Sequence, residues 1–532
     1  MVDNPGSGRS APPEMAAARR TRAPIYLAEN TTRVAWRLIA CRRVLLKSFE
    51  FGRLLALIKL YRIWHKPTVK YLMLGCFICT AVFALAISAI APNALRAQTQ
   101  PTTNPLANDN KTEPTAKPTP AVTPAQKGVL DDALPKWLRI SGSIRGRWQD
   151  TIVALKGNVK DGNYLDRIRL DIMLRPTPWL TLVGQVQDTR DWGYNHGVPS
   201  AALQNPLDLR VGYVQLGGGE SRGQWIRAGR QEVQYGAGRL IATAEWSNTA
   251  RSFDVVRGAY YRPGVKLDFV AGSVVLVDPS RFDRHKPGEH FYGTYEMFDK
   301  LVQGMSVEPY FFAKTINVIT GELGSKGNAL LIMGGLRFAG KAPGRTDYSF
   351  EMLHQGGSYA KDHISAWGGT YTLGWTVVRS GWKPRVSADY SFASGDKNSK
   401  DGTRGTFDLM YGNNQPFYGL TGLFGWKNIR TTRAGVDLTP LKRLTVMIDY
   451  RDFNLNTVQD GLYNSSGIQI FMNRKATSAH VGEGLDAQFA YAWSKGITTS
   501  IGLGSAFCGT YLHEVGQKDT YLYPYFMWSQ RF

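Results

Sequence analysis

The feature that most constrains this chain is a two-residue alternation in which one face is greasy and the other ionic. It is clearest at Arg167–Leu174, where Ile168, Leu170, Ile172 and Leu174 point one way and Arg167, Arg169, Asp171 and Met173 the other. The design returns with Thr432, Ala434, Val436 and Leu438 against Arg433, Gly435 and Asp437. After a turn at Thr439-Pro440-Leu441-Lys442, Leu444, Val446, Ile448 and Tyr450 oppose Thr445, Met447, Asp449 and Arg451. A soluble sandwich also alternates, but its polar face meets bulk water and has no reason to repeat paired arginine and aspartate on strand after strand. Lipid outside and a hydrated interior supply that reason. From Trp137 onward the pattern predicts an all-β chain, a transmembrane antiparallel β-barrel.

Connections alternate in length. Short ones are expected near 176–178, 218–222, 262–264, 299–303, 339–345, 379–384, 439–442 and 494–496. Longer polar ones are expected near 149–163, 191–206, 235–251, 278–288, 318–326, 357–364, 394–425, 456–480 and 509–518. Eight short and nine long connections join about 18 strands, and the even number leaves both barrel ends on the short-turn, periplasmic side. The last strand carries Phe526, Trp528 and the terminal Phe532 on one face, with Gln530 interrupting the row. A terminal Phe on an aromatic strand resembles the signal read by the outer-membrane assembly machinery. Aromatic residues make up 12% of the chain and Gly contributes 56 residues, as girdled, turn-rich barrels require.

Before the barrel the chain changes character three times. Residues 1–70 are a basic extension with 14 Lys/Arg and 4 Asp/Glu. They read either as an amphipathic helix on a membrane surface or, the reading adopted, as an untranslated stretch before a true start near Val69. Residues 71–97 form a signal segment: an apolar run from Tyr71 to Ala91, then Asn93-Ala94-Leu95-Arg96-Ala97 as the cleavage region. Residues 98–127, with Pro101, Pro105, Pro114, Pro118, Pro120 and Pro124, are a Pro/Thr-rich linker that cannot bury enough apolar surface to order itself. The barrel region is 128–532. Cys41, Cys76 and Cys79 precede the cleavage region, so Cys508 alone would remain and no intramolecular disulfide is expected.

Net charge is +22, yet residues 128–532 hold 46 Lys/Arg against 36 Asp/Glu, spread at strand-like spacing with no basic helix or zinc module. That argues against nucleic acid as a partner. The densest stretch runs from Arg227 to Arg257. Arg227, Arg230, Arg239, Arg251 and Arg257 are interleaved with Glu232, Glu245 and Asp254 and with Tyr235, Trp246 and Phe253. Gly-rich in the middle, it suits two strands joined by a structured loop.

Gly229-Arg230-Gln231-Glu232, Tyr235-Gly236, Gly238-Arg239, Trp246-Ser247-Asn248 and Arg251-Ser252-Phe253-Asp254 together resemble the alginate-export family of outer-membrane β-barrels. So do Glu308-Pro309-Tyr310-Phe311-Phe312, Ala393-Ser394-Gly395-Asp396, Asp401-Gly402, Gly405-Thr406-Phe407-Asp408, Tyr411 and Gly425-Trp426-Lys427-Asn428. The resemblance covers most of 137–532. It implies an outer-membrane channel that passes anionic polysaccharide or oligosaccharide through an arginine-rich lumen, outward in the export reading. An uptake porin of the same fold is the alternative, and an outer-membrane lipase or deacylase a more distant one.

Arginine suits such a path because its planar fork matches carboxylates, while acidic neighbours hold the forks and divide the charge into shallow sites. The expected lumen residues are Arg167, Arg169, Arg210, Arg230, Arg239, Arg251, Arg257, Arg433 and Arg451, with Asp171, Glu232, Asp254, Asp437 and Asp449 as orienting partners. The rival reading makes them ladders that brace a large barrel. Trp192, Tyr194, Trp246, Tyr411, Tyr418 and Trp426 are candidates for stacking on sugar faces, against girdle or loop-core roles. No enzyme motif is found. Gly335 to Ala342 nearly matches a phosphate-binding loop, but Ala342 lacks the hydroxyl and Pro343-Gly344 follows. His285 and His290 lack a third ligand, and Asp396, Asp401 and Asp408 read as a solvated acidic loop. No cofactor and no metal site is expected; the partners are anionic polysaccharide, outer-membrane lipid and the assembly machinery through Phe532.

Overall fold

The computed structural model describes residues 134–152, 161–193, 200–218, 223–378 and 380–532. The extension, signal segment and linker expected over 1–127 lie outside the described residues, as does Tyr194. Eighteen long strands follow. The first six are β1 (Leu138–Thr151), β2 (Asp161–Thr177), β3 (Leu180–Trp192), β4 (Asn205–Gly217), β5 (Gly223–Gln231) and β6 (Phe253–Arg262). Next come β7 (Val265–Leu276), β8 (Glu289–Val302), β9 (Met305–Thr320), β10 (Lys326–Ala342), β11 (Thr346–Tyr359) and β12 (Asp362–Thr376). The last six are β13 (Arg385–Ala393), β14 (Ile429–Leu441), β15 (Leu444–Leu455), β16 (His480–Ala492), β17 (Ile497–Cys508) and β18 (Tyr521–Arg531).

Each strand pairs antiparallel with the next, and β1 closes the ring on β18, from Ser143 opposite Arg531 to Gln149 opposite Tyr525. Phe532 completes the seam: its N–H donates to Gly142 O at 3.0 Å and its carbonyl accepts from Gly142 N at 2.9 Å. A closed sheet leaves no edge of unpaired backbone groups, the condition for crossing hydrocarbon with strands. No helix among the described residues is long and apolar enough to cross a membrane. The expected barrel of about 18 strands is what forms.

Alternation assigns the two faces. On β2, Ile168, Leu170 and Ile172 are exposed outward, while Arg167 and Arg169 are buried inward. Exposed tryptophans gather near the strand ends. Trp179, Trp375, Trp382 and Trp493 lie towards the short-turn side, and Trp148, Trp192 and Trp367 towards the other. Two connections expected to be long are tight. Residues 321–325 join β9 to β10, and only Ala360 and Lys361 join β11 to β12. The polar run taken for a loop instead stays paired, with Gly357 opposite Ile364 and Ser358 opposite His363. Above the apolar band both faces of a strand are wet, so polarity there does not mark a loop.

Two of the long connections fold inward. Segments 232–252 and 394–428 supply Val233, Leu240, Ile241, Phe407, Met410, Tyr411, Tyr418, Phe424 and Trp426 to one buried apolar cluster. Wall residues Phe253, Phe291, Phe312 and Met333 complete it. Ile241 and Tyr411 form a parallel bridge between the two segments. The largest apolar core of this barrel therefore lies inside it, and it holds the loops against the inner wall.

Candidate functional site

The inner wall is built in two arcs. On the β1–β4 arc, Arg145, Arg147, Arg167, Arg169 and Arg210 point inward and meet the 232–252 segment. Glu245 of that segment accepts three forks: Arg167 at 3.0 Å, Arg169 at 3.1 Å and Arg210 at 2.9 Å. Arg145 donates to the Glu245 carbonyl at 2.8 Å and to Asn248 Oδ1 at 3.0 Å. Arg147 donates to the Trp246 carbonyl at 2.7 Å and its guanidinium lies 4.5 Å from the Trp246 ring centre. Arg210 reaches Glu245 through a β-bulge. Val211 pairs with Gln185 and Leu209 with Val186, so Arg210 is the extra residue and its side chain also donates to Gln185 at 2.8 Å. Glu232 binds Arg210 at 2.5 Å, and Asp171 accepts a hydrogen bond from Gln185.

On the β11–β16 arc the acids come from the strands. Asp347 and Asp437 flank Arg385 at 2.7 and 2.9 Å. Further round, Asp389 and Asp449 flank Arg433, and Arg451 bridges Asp449, at 3.0 Å, to Asp486. Between the arcs, Arg257 pairs with Asp268 at 2.6 Å and Arg337 with Glu308 at 2.6 Å.

The second loop ties across the same space. Its Asp408 takes Lys314 of β9 at 3.0 Å, and Tyr418 meets Ser391 of β13 at 3.3 Å. Phe417 O accepts from Arg451 of β15, and Leu420 N donates to Asp486 of β16, both at 3.2 Å. The two segments thus brace against the wall from β1 round to β16 and narrow the bore. Asp408 is held at about 2; burial opposes this, and the Lys314 and Lys427 ammonium groups outweigh it.

Not every expected residue faces the lumen. Arg230 and Asp254 form an ion pair at 2.8 Å, but Arg230 shares its strand parity with exposed Ile226 and Ala228, and Asp254 shares that of exposed Val256. They sit on the outer wall above the apolar band, where water tolerates charge. Arg239 and Arg251 are on the inward-folded loop rather than on strands. Arg239 stacks 3.9 Å from the Phe417 ring centre, and Arg251 donates to the Ala242 carbonyl at 3.1 Å and to that of Tyr411. Tyr411, Tyr418 and Trp426 are buried in the loop core, Trp192 faces outward, and Trp246 lies edge-on to Tyr525 with ring centres 4.9 Å apart. Asp396 and Asp401 accept main-chain N–H bonds from Asn398 and Thr403, two residues on, and so stabilise their own turns.

Sequence reasoning left out Arg145, Arg147, Glu245, Asp268, Asp347, Arg385, Asp389 and Asp486 as site residues. The alternation Arg145-Gly146-Arg147 carried a signal for the first two. Glu245 carried none, because its partners lie up to 100 residues away and meet it only when the loop folds inward.

The alginate-export family model matches residues 136–522. The chain belongs to the alginate-export family. Its fold is shared with solved Pseudomonas aeruginosa barrels. OccD3 (OpdP) is 9% identical, with 75% of this chain and 92% of that chain covered and a TM-score of 0.52. OpdO is 10% identical over 75% and 98%, and OpdL 10% identical over 75% and 99%, each with a TM-score of 0.51. No curated protein matches the chain. This family member is a β-barrel of the bacterial outer membrane, of channel type.

Proposed function

We propose that the channel conducts an anionic, alginate-like polysaccharide or oligosaccharide outward along its arginine-bearing inner wall. One observation carries this reading. Arg145, Arg147, Arg239 and Arg251 lie at or beside the inward-folded loops without a carboxylate ion pair among the described residues, held by carbonyls, an amide and aromatic rings instead. Carbonyls and rings position a guanidinium without cancelling its charge, so the constriction keeps a positive surplus. A polyuronate presents one carboxylate per sugar, and these largely buried cations attract it through their field. The surrounding ion pairs keep each site shallow enough for the chain to move on. The same reading assigns the C-terminal strand, with Phe532 at the closing seam, to recognition by the assembly machinery.

Planar-bilayer recording tests the proposal. Anion selectivity with current block by polyuronate, and none by a neutral polysaccharide, is expected. Weak selectivity with no block by polyuronate would point instead to a general porin of the same fold.

A further inference from the structure

Asp452 of β15 and Glu483 of β16 stand directly opposite one another. Like charges in that position are destabilising unless something positive lies between them. His480 occupies the third corner. Its Nε2 lies 3.2 Å from Asp452 Oδ1 and 3.2 Å from Glu483 Oε1. One donor atom from each residue falls within 4.8 Å of the other two.

The sequence builds this corner with a bulge. Phe453 faces Gly482 while the next residue, Asn454, faces His480, so Val481 is the extra residue and its side chain is fully buried. Three residues apart on a regular strand, His480 and Glu483 would face opposite sides; the inserted residue puts them on one face. Gly482 makes the bulge feasible. Its φ is 146°, and a Cβ there would collide with Phe507 O. Asn454 Nδ2 donates to Asp452 Oδ2 at 2.6 Å, which leaves Oδ1 turned towards the imidazole. The face is the outer one: Ile448 and Tyr450 on the same row of β15, and Leu485 on that of β16, are exposed. The three residues lie at the long-loop ends of their strands, above that apolar row.

We propose that Asp452, His480 and Glu483 bind a divalent transition-metal ion of the zinc type on the outer wall of the barrel. A tetrahedral ion with ligands at about 2.0–2.1 Å holds neighbouring donors about 3.3–3.4 Å apart. The two 3.2 Å spacings to the imidazole nitrogen fall close to that edge. An imidazole beside two carboxylates selects zinc, cobalt or nickel over magnesium and calcium, which take oxygen donors. Three protein ligands leave a fourth position open to the outside. The ion also relieves the repulsion across the strand pair, which an uncharged histidine leaves in place.

The full barrel, folded in detergent without a polyhistidine tag, is titrated near neutral pH with Zn²⁺ by calorimetry and with Co²⁺ by visible absorption. One equivalent is expected, with Co²⁺ giving the intense bands of a four-coordinate site and Zn²⁺ displacing it. His480→Asn and Glu483→Gln each weaken binding about tenfold or more, while His285→Asn, on the loop between β7 and β8, does not. Heat-modifiable migration on electrophoresis shows that each variant is folded. Absence of saturable binding by the parent barrel, or equal binding by the folded His480→Asn and Glu483→Gln variants, overturns the site and leaves His480 as a hydrogen-bonding bridge between two carboxylates.

Discussion

The two arcs of the inner wall solve the same electrostatic problem with opposite parts. Along β11–β16, cation and acid both come from strands, so each ion pair ties wall to wall. Along β1–β4 the strands supply the arginines, and the loop supplies Glu245, the carboxylate that Arg167, Arg169 and Arg210 share. Removing a bond in the β11–β16 arc chiefly weakens the cylinder, although Arg451 and Asp486 there also hold Phe417 and Leu420 of the second loop; removing Glu245 from the β1–β4 arc unseats a loop. Bracing and gating, which alternation in the sequence cannot tell apart, thus fall mainly on different arcs.

The largest effect is expected at Glu245. Glu245→Gln leaves three guanidinium groups facing an amide, and stripping a buried ion pair of one partner costs about 3–5 kcal/mol. Segment 232–252 should leave the wall, seen as larger single-channel conductance and faster cleavage of the loop by added protease. Unchanged conductance together with unchanged cleavage would break the contrast between the arcs.

Asp449→Asn tests the other side. Arg433 keeps Asp389 and Arg451 keeps Asp486, so the loss falls at or below the lower end of that range, about 3 kcal/mol. A lower thermal midpoint in the heat-modifiability assay is expected, with conductance as in the parent. An altered conductance at full stability would mean that this arc also gates.

Arg239→Gln comes next. Among the described residues its guanidinium touches only rings, those of Phe417 and Trp426, so stability should drop by about 1 kcal/mol or less. The reversal potential in a salt gradient should nevertheless move towards lower anion preference. A stability loss as large as that of Asp449→Asn, with selectivity intact, would make Arg239 a structural residue.

The sequence made some of this legible and hid the rest for physical reasons. Lipid on one side and water on the other imposes period two, so Ile168 and Arg167 declare their faces without help. Ladder partners one strand away, such as Asp449 beside Arg433, follow from the same phase. Loop-to-wall contacts do not, because the inward fold of 232–252 rests on apolar residues such as Val233 and Ile241 that have no strand period to announce it. Arg230 shows a different limit. Its parity with Ile226 and Ala228 places it outside, but a dense arginine stretch draws attention to charge rather than phase. The polar run at 357–364 was opaque because a strand above the membrane needs no greasy face.

That outer wall offers the smallest and sharpest contrast with the lumen. Arg230 there is shared by Asp254 at 2.8 Å, by Asp208 at 3.6 Å and by the Asp283 carbonyl at 3.0 Å, which pins the 277–288 loop. Burial, with Asp208 nearby adding to it, pushes the Asp283 carboxyl up to about 6. A carboxyl raised above its unfolded value favours the closed loop while protonated. The contribution is complete below about pH 4, the ordinary aspartate range, and is lost as the pH climbs through about 6. Amide exchange at Asp278, whose N–H donates to Asp283 Oδ1 at 2.9 Å, should therefore show less protection against opening above that window than below it, after correction for intrinsic rates. Asp283→Asn should flatten the profile while Glu245→Gln leaves it intact, since one loop hangs on the outside of the barrel and the other is seated within. A parent profile that is already flat, or one that Glu245→Gln abolishes, would mean that the two loops are coupled and that inner and outer electrostatics are not independent.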